Sequence, residues 1–393
     1  MKENVFDILI VYTDKLATSP NALSLDAVFP FAKDSGYESY NTVYGYFLKI
    51  CEKSGLKAAF STSNDIIGAG RCQGFWVYKN NSWQKNKNVC TSTIIFDKFS
   101  PINKRIRKSR SLLFSSKESI PFNNPYIFEL FFDKQKTYEK FHQFSIPTVT
   151  ISGKSAENVR QAYKKLRGLT KKHPNNKDFS NCFIVKDRFG AGGKYVYKFK
   201  SNQVNNIVKT LQRHKNRSFV IQPEVIFDKG YLYNKIQGPT DIRLIYLEKK
   251  IIQTYIRTAK KGEFRCNEHR GGSLKYIGKD DIPTGVISMS NKVSEILSKS
   301  DSLYALDFII SNNGNTYLLE GNTGPGLDWD LSNSKNRLEA QRLIRMIVNK
   351  LYKLSRFHKT VKTKTIETIP LPIIPFGIYP KNDPLVVFRR LSS

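Results

Sequence analysis

Asp307, Glu320 and Asn322 are the residues in this sequence whose types and spacing most directly suggest chemistry, in the pattern D-x12-E-x-N. They lie in the stretch from Tyr304 to Asp330. There, Leu306 to Ile310 is an apolar run, Ser311-Asn312-Asn313-Gly314-Asn315 is turn-forming, and Thr316 to Leu319 is a second run. That order predicts a β-hairpin. Alternate residues of a strand share a face, so Glu320 and Asn322 point the same way, and hairpin pairing can bring Asp307 beside them. Three hard oxygen ligands on one face suit Mg2+, which takes few protein carboxylates and keeps positions for phosphate and water. Gly324-Pro325-Gly326 then turns the chain away. The competing reading is a hairpin whose acidic ends simply face water.

Two further stretches could handle anions. Lys186 enters Asp187-Arg188-Phe189-Gly190-Ala191-Gly192-Gly193-Lys194 between two predicted strands. Glycines allow close backbone approach and positive φ, and the lysine adds a point charge, so such a turn can fold over nucleotide phosphates. It is not a Walker A loop, because no GK[ST] opens a helix, and an ordinary tight turn fits it too. Arg257 to Gly272 reads R-x4-GE-x-R-x-N-x3-GG, and its arginines close to the double glycine Gly271-Gly272 would suit an anion in a loop-lined site. Here a solvated loop is the alternative.

These residues need elements to hold them. Residues 6–12, 56–61, 75–78 and 91–96 read as strands, with a helix over Asn41 to Ser54 and a turn at Asn80-Asn81-Ser82. The order implies a small α/β lobe with a parallel sheet over residues 1–124. A helix starts near Asp133 and breaks at Ile146-Pro147. A second spans Ser155 to Leu169, strands cover Phe179 to Val185 and Tyr195 to Lys200, and a helix covers Val204 to His214. Ser218 to Gln222 is a strand that runs into a hinge-like Pro223-Glu224-Val225. Strands over 242–247 and 251–257 flank a charged turn, and a helix over Asn333 to Leu354 closes the body. Residues 356–393 carry Lys359, Lys362, Lys364 and prolines 370, 372, 375, 380 and 384, which predicts a basic linker and an extended tail.

The 393 residues, 40% of them apolar, can bury more than one lobe. No run approaches the roughly 20 apolar residues of a membrane span, and the N-terminus lacks a signal-peptide pattern, which predicts a cytoplasmic protein. Five scattered cysteines without a CxxC pair argue against a disulfide framework and a zinc site. The formal charge of +31 predicts attraction to polyanions. Its densest cluster, Lys104 to Arg110, reads as a loop or a helix start.

Taken together, five segments in order resemble the ATP-grasp superfamily, and especially its carboxylate–amine ligases of the glutathione-synthetase and ribosomal-protein glutamate-ligase branch. They are Asp133-Lys134 with Thr137; Val185-Lys186 with Gly190, Gly192 and Gly193; Asp241-Ile242-Arg243; the Arg257–Gly272 pattern; and Asp307 to Asn322. The resemblance covers roughly residues 125–350. It implies an α/β ATP-grasp fold with an N-terminal α/β preATP-grasp lobe, a central and lid portion over 125–225 and a C-terminal portion over 226–355. It also implies that Lys134 and Lys186 contact ATP phosphates under a Gly190–Gly193 lid, with Gln222, Glu224 and Val225 at the adenine hinge. Asp307, Glu320 and Asn322 would hold two Mg2+ ions, for which Mn2+ can substitute. Arg257, Arg265 and Asn267 would stabilise transferring oxygens, while Arg243 would bind a substrate carboxylate or pair with a local acid. Two departures stand out: Asp187 replaces the usual proline, and Pro223 separates the glutamine from the glutamate.

The chemistry implied is ATP-driven amide or peptide bond formation through an acyl phosphate, on a small-molecule, peptide or anionic substrate. The basic charge suggests an acidic one. The alternative is a non-catalytic nucleotide-binding protein whose basic surface holds nucleic acid or another polyanion. A homo-oligomer is compatible with either reading.

Overall fold

In the computed structural model, residues 3–22, 28–101, 103–234, 236, 238–297, 302–327 and 333–367 are described. The chain forms two units, Met1–Ser355 and Arg356–Ser393.

The first unit begins with β1 (Asn4–Tyr12), α1 (Ser39–Lys53), β2 (Ala58–Thr62), β3 (Ile66–Gly68), β4 (Arg71–Lys79), β5 (Ser82–Lys98), α2 (Lys104–Leu113) and β6 (Ile120–Pro121). Their sheet runs β3-β4-β2-β1-β5-β6. It is mixed, not parallel as the strand–helix–strand order predicts. β1 lies parallel to β2 and β5, but β4 is antiparallel to both. The reason is local: Asn80 and Asn81 both take positive φ, 51° and 59°, and close a two-residue hairpin, a turn that joins antiparallel strands. β5 is 17 residues long, pairing with β4 through its first half and with β1 through its second. The basic cluster is helix α2. The Asn103 side chain caps it by accepting from the Ile106 N–H, and only Ile106 and Leu113, seven apart on one face, are buried.

Next come α3 (Pro125–Phe132), α4 (Lys134–Phe141), β7 (Val149–Ile151), α5 (Ala156–Lys172), β8 (Phe179–Asp187), β9 (Val196–Lys200), α6 (Val204–Arg213) and β10 (Phe219–Val225). Their sheet, β7-β10-β8-β9, is antiparallel. Val159, Ala162 and Leu166 of α5 and Ile207 and Leu211 of α6 pack on its Val185, Phe219 and Ile221. Pro223-Glu224-Val225 is the last part of β10, not a separate hinge. The register shifts between Pro223 and Val225, so the sheet accommodates a residue that cannot donate a ladder hydrogen bond.

The third sheet has order β13-β12-β11-β14-β15, with β11 (Thr240–Leu247), β12 (Lys250–Thr258), β13 (Ser273–Tyr276), β14 (Leu303–Ile310) and β15 (Thr316–Asn322). α7 (Thr284–Leu297) precedes β14, and α8 (Ser334–Glu367) follows β15. Leu343, Ile344, Ile347, Val348 and Leu351 make an apolar stripe on α8. That stripe joins Phe47 of α1, Trp76 of the first sheet and Ile245 and Ile252 of the third in one core.

The helix does not stop near Leu354 as its apolar spacing suggests. The described residues of the second unit, 356–367, are helical, so Lys359, Lys362 and Lys364 do not form a linker. No proline or glycine interrupts residues 334–367. The tail prolines, and Asp328 to Asp330 at the end of the acidic hairpin stretch, lie outside the described residues.

Candidate functional site

The hairpin expected from turn chemistry is β14–β15, and its register sets Asp307 opposite Glu320 and Ala305 opposite Asn322. Asn322 Nδ2 lies 3.2 Å from Asp307 Oδ2 and 3.5 Å from Glu320 Oε1, so the three side chains do converge. Their surroundings differ. Glu320 and Asn322 line an open cleft of about 350 Å3, whereas Asp307 is wholly buried beneath them.

Asp307 is not the open ligand that the spacing suggests. Register places Arg243 opposite it on β11, and that guanidinium forks onto the carboxylate at 2.6 and 2.5 Å. Arg257 Nη2 adds a third contact at 3.0 Å. Burial would raise the Asp307 carboxyl, but the two arginines hold it below the usual range. Arg243 therefore pairs with a local acid, and its remaining Nη1 donates to the Tyr255 hydroxyl.

Arg257 forks onto Asp241, its register partner, at 2.8 Å for both contacts. Among the described residues its Nη1 has no acceptor, and the residue lines the cleft. Two arginines thus cancel two aspartates, and one donor is left facing the ligand space.

A smaller chamber of about 120 Å3 opens beside the cleft. Ile184, Val225, Phe227, Ile309 and Leu319 give it apolar walls, and Gln222 and Glu224 supply polar ones. Lys134, Lys186, Gln222, Glu320 and Asn267 line both spaces, so the two lysines stand where one opens into the other. Lys134 Nζ donates to the Gly190 carbonyl and lies 3.9 Å from Glu320. Lys186 is almost fully buried. Burial lowers its pKa, Glu320 raises it and Lys134 lowers it again, leaving it at about 8. Gln222 donates to Thr148, and Glu224 is held by Lys198 and Ser180.

The glycine turn folds over this junction. Gly192 and Gly193 have φ of 65° and 66°. A Cβ on Gly193 would come within 2.5 Å of Asn267 Oδ1, so only glycine fits there. The Gly193 carbonyl accepts from Arg270 at 3.2 Å and from Arg265 at 3.5 Å, which ties the turn to the Arg257–Gly272 loop. Arg265 also forks onto Glu263. Gly271 takes a left-handed φ of 82° and Gly272 packs against the Cys266 carbonyl; neither lines the cleft. Asp187, the departure from the usual proline, is buried and paired with Arg217, and it accepts from the Phe189 N–H at 3.0 Å. It shapes the turn with its charge already neutralised.

Sequence patterns did not point to the opposite wall of the cleft. Tyr12, Asp97 and Lys98 line it from the N-terminal sheet, and Tyr40 and Tyr44 from α1. Tyr12 and Lys98 are register partners at the carboxyl ends of parallel strands β1 and β5. Ligands favour that end of an α/β sheet, the one signal that could have found these residues.

Among the described residues no cluster of three or more His, Cys, Asp or Glu side chains is arranged for a metal. The hairpin instead offers one open carboxylate, Glu320, and the Asn322 amide, with the Asp307 carboxylate held by two arginines beneath them. Glu320 and Asn322 face ligand space, and rotating the Asn322 amide would present its oxygen there. This donor set fits Mg2+ as a hard cation that keeps other positions for phosphate.

Known proteins share this architecture. D-cycloserine synthetase DcsG superposes with a TM-score of 0.54 at 12% identity, over 88% of this chain and 99% of that one. D-alanyl-alanine synthetase A from Vibrio cholerae gives 0.54 at 13%, over 89% and 99%. A RimK domain ATP-grasp protein from Sphaerobacter thermophilus gives 0.50 at 11%, over 87% and 99%. At such identities the likeness is one of fold, and the fold is ATP-grasp.

Residues 154–347 match the RimK-like ATP-grasp domain. A probable alpha-L-glutamate ligase of Alkalilimnicola ehrlichii is 29% identical over 145 residues, 37% of this chain and 43% of that protein. Its counterpart in Pseudomonas savastanoi pv. phaseolicola is 33% identical over 129 residues, 33% and 39% of the two chains. The chain thus matches less than half the length of these relatives. No described helix is long and apolar enough to cross a membrane.

Proposed function

We propose that this protein is an ATP- and Mg2+-dependent carboxylate–amine ligase, with L-glutamate or a glutamate-bearing peptide as one reactant. The observation that carries the reading is the position of Lys134 and Lys186 at the junction of an apolar chamber and a polar cleft, beside Glu320 and Asn322. The chamber suits a purine, with Val225 and Phe227 on its wall and the backbone of Glu224, which the β10 register skips, at its rim. Phosphates would then reach the two lysines, under the turn from Gly190 to Gly193. The terminal phosphate would face the cleft, where Arg257 Nη1 points.

The reaction that fits is transfer of the terminal phosphoryl group to a substrate carboxylate oxygen, releasing ADP. An amine nitrogen then bonds to the carbonyl carbon, phosphate leaves and the nitrogen gives up a proton. The protein's task is placement and charge screening. Mg2+ held by Glu320 and Asn322, above Asp307, would screen the phosphate charge. The similarity to probable alpha-L-glutamate ligases supports glutamate as a reactant.

ADP release with Mg-ATP and pooled amino acids and acidic peptides tests this, with Glu320→Gln as control. The expected result is substrate-dependent ADP release, absent in the variant, with a product one water lighter than its parts. A protein that binds no Mg-ATP would overturn the reading. Salt-sensitive polyanion binding without ADP release would favour a non-catalytic role.

A further inference from the structure

Val185, Phe219 and Ile221 point from the second sheet into the core that α5 and α6 cover. Their strand neighbours Ile184, Lys186 and Gln222 line the nucleotide chamber on the other side. The outer face of the two helices is therefore the back of the site, and it is strongly charged.

α5 carries six cations, Arg160, Lys164, Lys165, Arg167, Lys171 and Lys172, and all are exposed. Lys209 and Arg213 extend the face onto α6, which packs beside it. The whole chain has 64 basic and 33 acidic residues, whereas these two helices have eight basic residues and one acid. That acid, Glu157, accepts from Gln161 at 2.9 Å. Among the described residues none of the eight cations forms a salt bridge. Arg167 lies over the Tyr163 ring at 5.8 Å.

Arg160, Lys164, Arg167 and Lys171 recur at intervals of four, three and four residues. That spacing makes one stripe along the helix, with steps of about 4.5–6 Å on its axis. Like charges at such intervals destabilise a helix. The dipole compensates Lys171 and Lys172, which stand in the last turn. The other four have no such compensation, so the stripe weakens the helix and finds its use outside the fold.

Besides the cations, only Glu157, Gln161 and Gly168 are exposed on α5; Val159, Ala162 and Leu166 are turned into the core. An amphipathic helix that binds a membrane inserts an apolar face, and a protein partner needs apolar or aromatic anchors. This face has neither. A nucleic-acid backbone requires neither, because release of its counterions supplies the affinity, and it offers a charge every ~3.4 Å of axis on each strand. No exposed aromatic ring stands on α5 to stack an unpaired base. The match is to the phosphates of a duplex.

We propose that the outer face of α5, continued by α6, binds the phosphate backbone of double-stranded nucleic acid without sequence preference. The site lies behind the nucleotide chamber and is independent of what the cleft catalyses.

Fluorescence anisotropy of the full chain with short, labelled DNA and RNA duplexes, over a series of salt concentrations, tests this. Duplexes of different sequence should bind equally. Lys164→Gln, Arg167→Gln and Lys171→Gln together should weaken binding at least about tenfold near ~0.1 M salt and flatten the salt slope by about 3. This variant should melt no lower than the wild type, because repulsion is removed. A matched control takes three exposed cations from α2, as Lys104→Gln, Arg107→Gln and Lys108→Gln, and lowers the net charge equally. It should keep the wild-type slope. Equal losses in the two triple variants would trace binding to net charge alone and overturn the proposal. So would a wild type that binds no duplex at ~0.1 M salt. An α5 variant that loses more affinity for poly-L-glutamate, or for phosphatidylserine–phosphatidylcholine vesicles, than for the duplexes would overturn it too.

Discussion

Asp133 and Arg188 meet in a two-point ion pair, at 2.7 and 2.6 Å, that joins the start of α4 to the end of β8. Asp133 also caps α4 by accepting from the Gln135 and Lys136 N–H groups. Lys134, the first residue of that helix, is thus fixed from both sides, and its own N–H donates to the Arg188 carbonyl at 3.1 Å.

Asp133→Ala removes the cap and leaves Arg188 without its partner. The cap alone is worth about 1 kcal/mol, so a loss of at least that size is expected in urea denaturation at neutral pH. Burial would raise the Asp133 carboxyl, but hydrogen bonds from Arg188 and the helix N–H groups lower it overall. A carboxyl depressed in the folded state stabilises it above the unfolded pKa, near ~3.9, and loses that contribution as pH falls through the folded value. The difference between wild type and variant should therefore shrink in acid. A constant difference across that range would contradict the pairing.

Lys186 titrates at about 8 in the ligand-free protein. An unfolded lysine titrates near ~10.4, so between those values the unfolded chain binds more protons and stability rises with pH. Bound phosphates would reverse the balance by favouring the charged amine. Mg-ADP affinity should then weaken as pH rises through about 8, with proton uptake on binding above it. Calorimetry in buffers of different ionisation enthalpy reads that proton directly. Lys186→Met should bind at least about tenfold more weakly and lose the pH dependence.

Asp307 and Glu320 lie opposite one another but should fail differently. Asp307→Asn leaves two buried arginines short of charge, a defect of about 3–5 kcal/mol for a broken buried pair. It should lower Tm sharply. Glu320 faces the cleft, so Glu320→Gln should leave Tm nearly unchanged while ADP formation disappears. Equal thermal stability of the two variants would refute this division between support and chemistry.

Gly321 separates Glu320 from Asn322, and a Cβ there would fall within 2.3 Å of the Phe131 ring. Overpacking of this kind typically costs about 1–3 kcal/mol. Gly321→Ala should therefore reduce stability and turnover together, because relief requires α3 or β15 to move. The companion change Phe131→Leu should restore part of both. No recovery in that double variant would place the difficulty elsewhere.

The β14–β15 hairpin was legible because its signals are local: two apolar runs, a polar turn, and acids at the strand ends. The starts of α4 and α5 near Asp133 and Ser155 were legible for the same reason. The partners of Asp307 were not, since they follow from pairing β14 with β11 and β11 with β12, across 50 to 64 residues. A run of apolar residues specifies a strand but not its neighbour. The N-terminal wall was hidden more deeply, because Lys98 reaches Pro325 across 227 positions and Asn123 reaches Thr323 across 200. The parallel-sheet expectation failed at Asn80-Asn81, where hairpin chemistry was visible but its effect on sheet direction was not drawn. The helical residues beyond Leu354 were hidden because the apolar spacing ends there and a proline-rich tail follows, although residues 334–367 hold no proline or glycine.

The Gly193 carbonyl is shared by Arg265 and Arg270, so the turn over the nucleotide chamber and the loop beside the cleft hold one another in place. A ligand that orders either segment reduces the entropy the other still has to lose. Were the chamber and the cleft each to take a ligand, the two binding events would be thermodynamically linked through this contact, each changing the other by the same factor. One peptide oxygen bridges the two halves of the site.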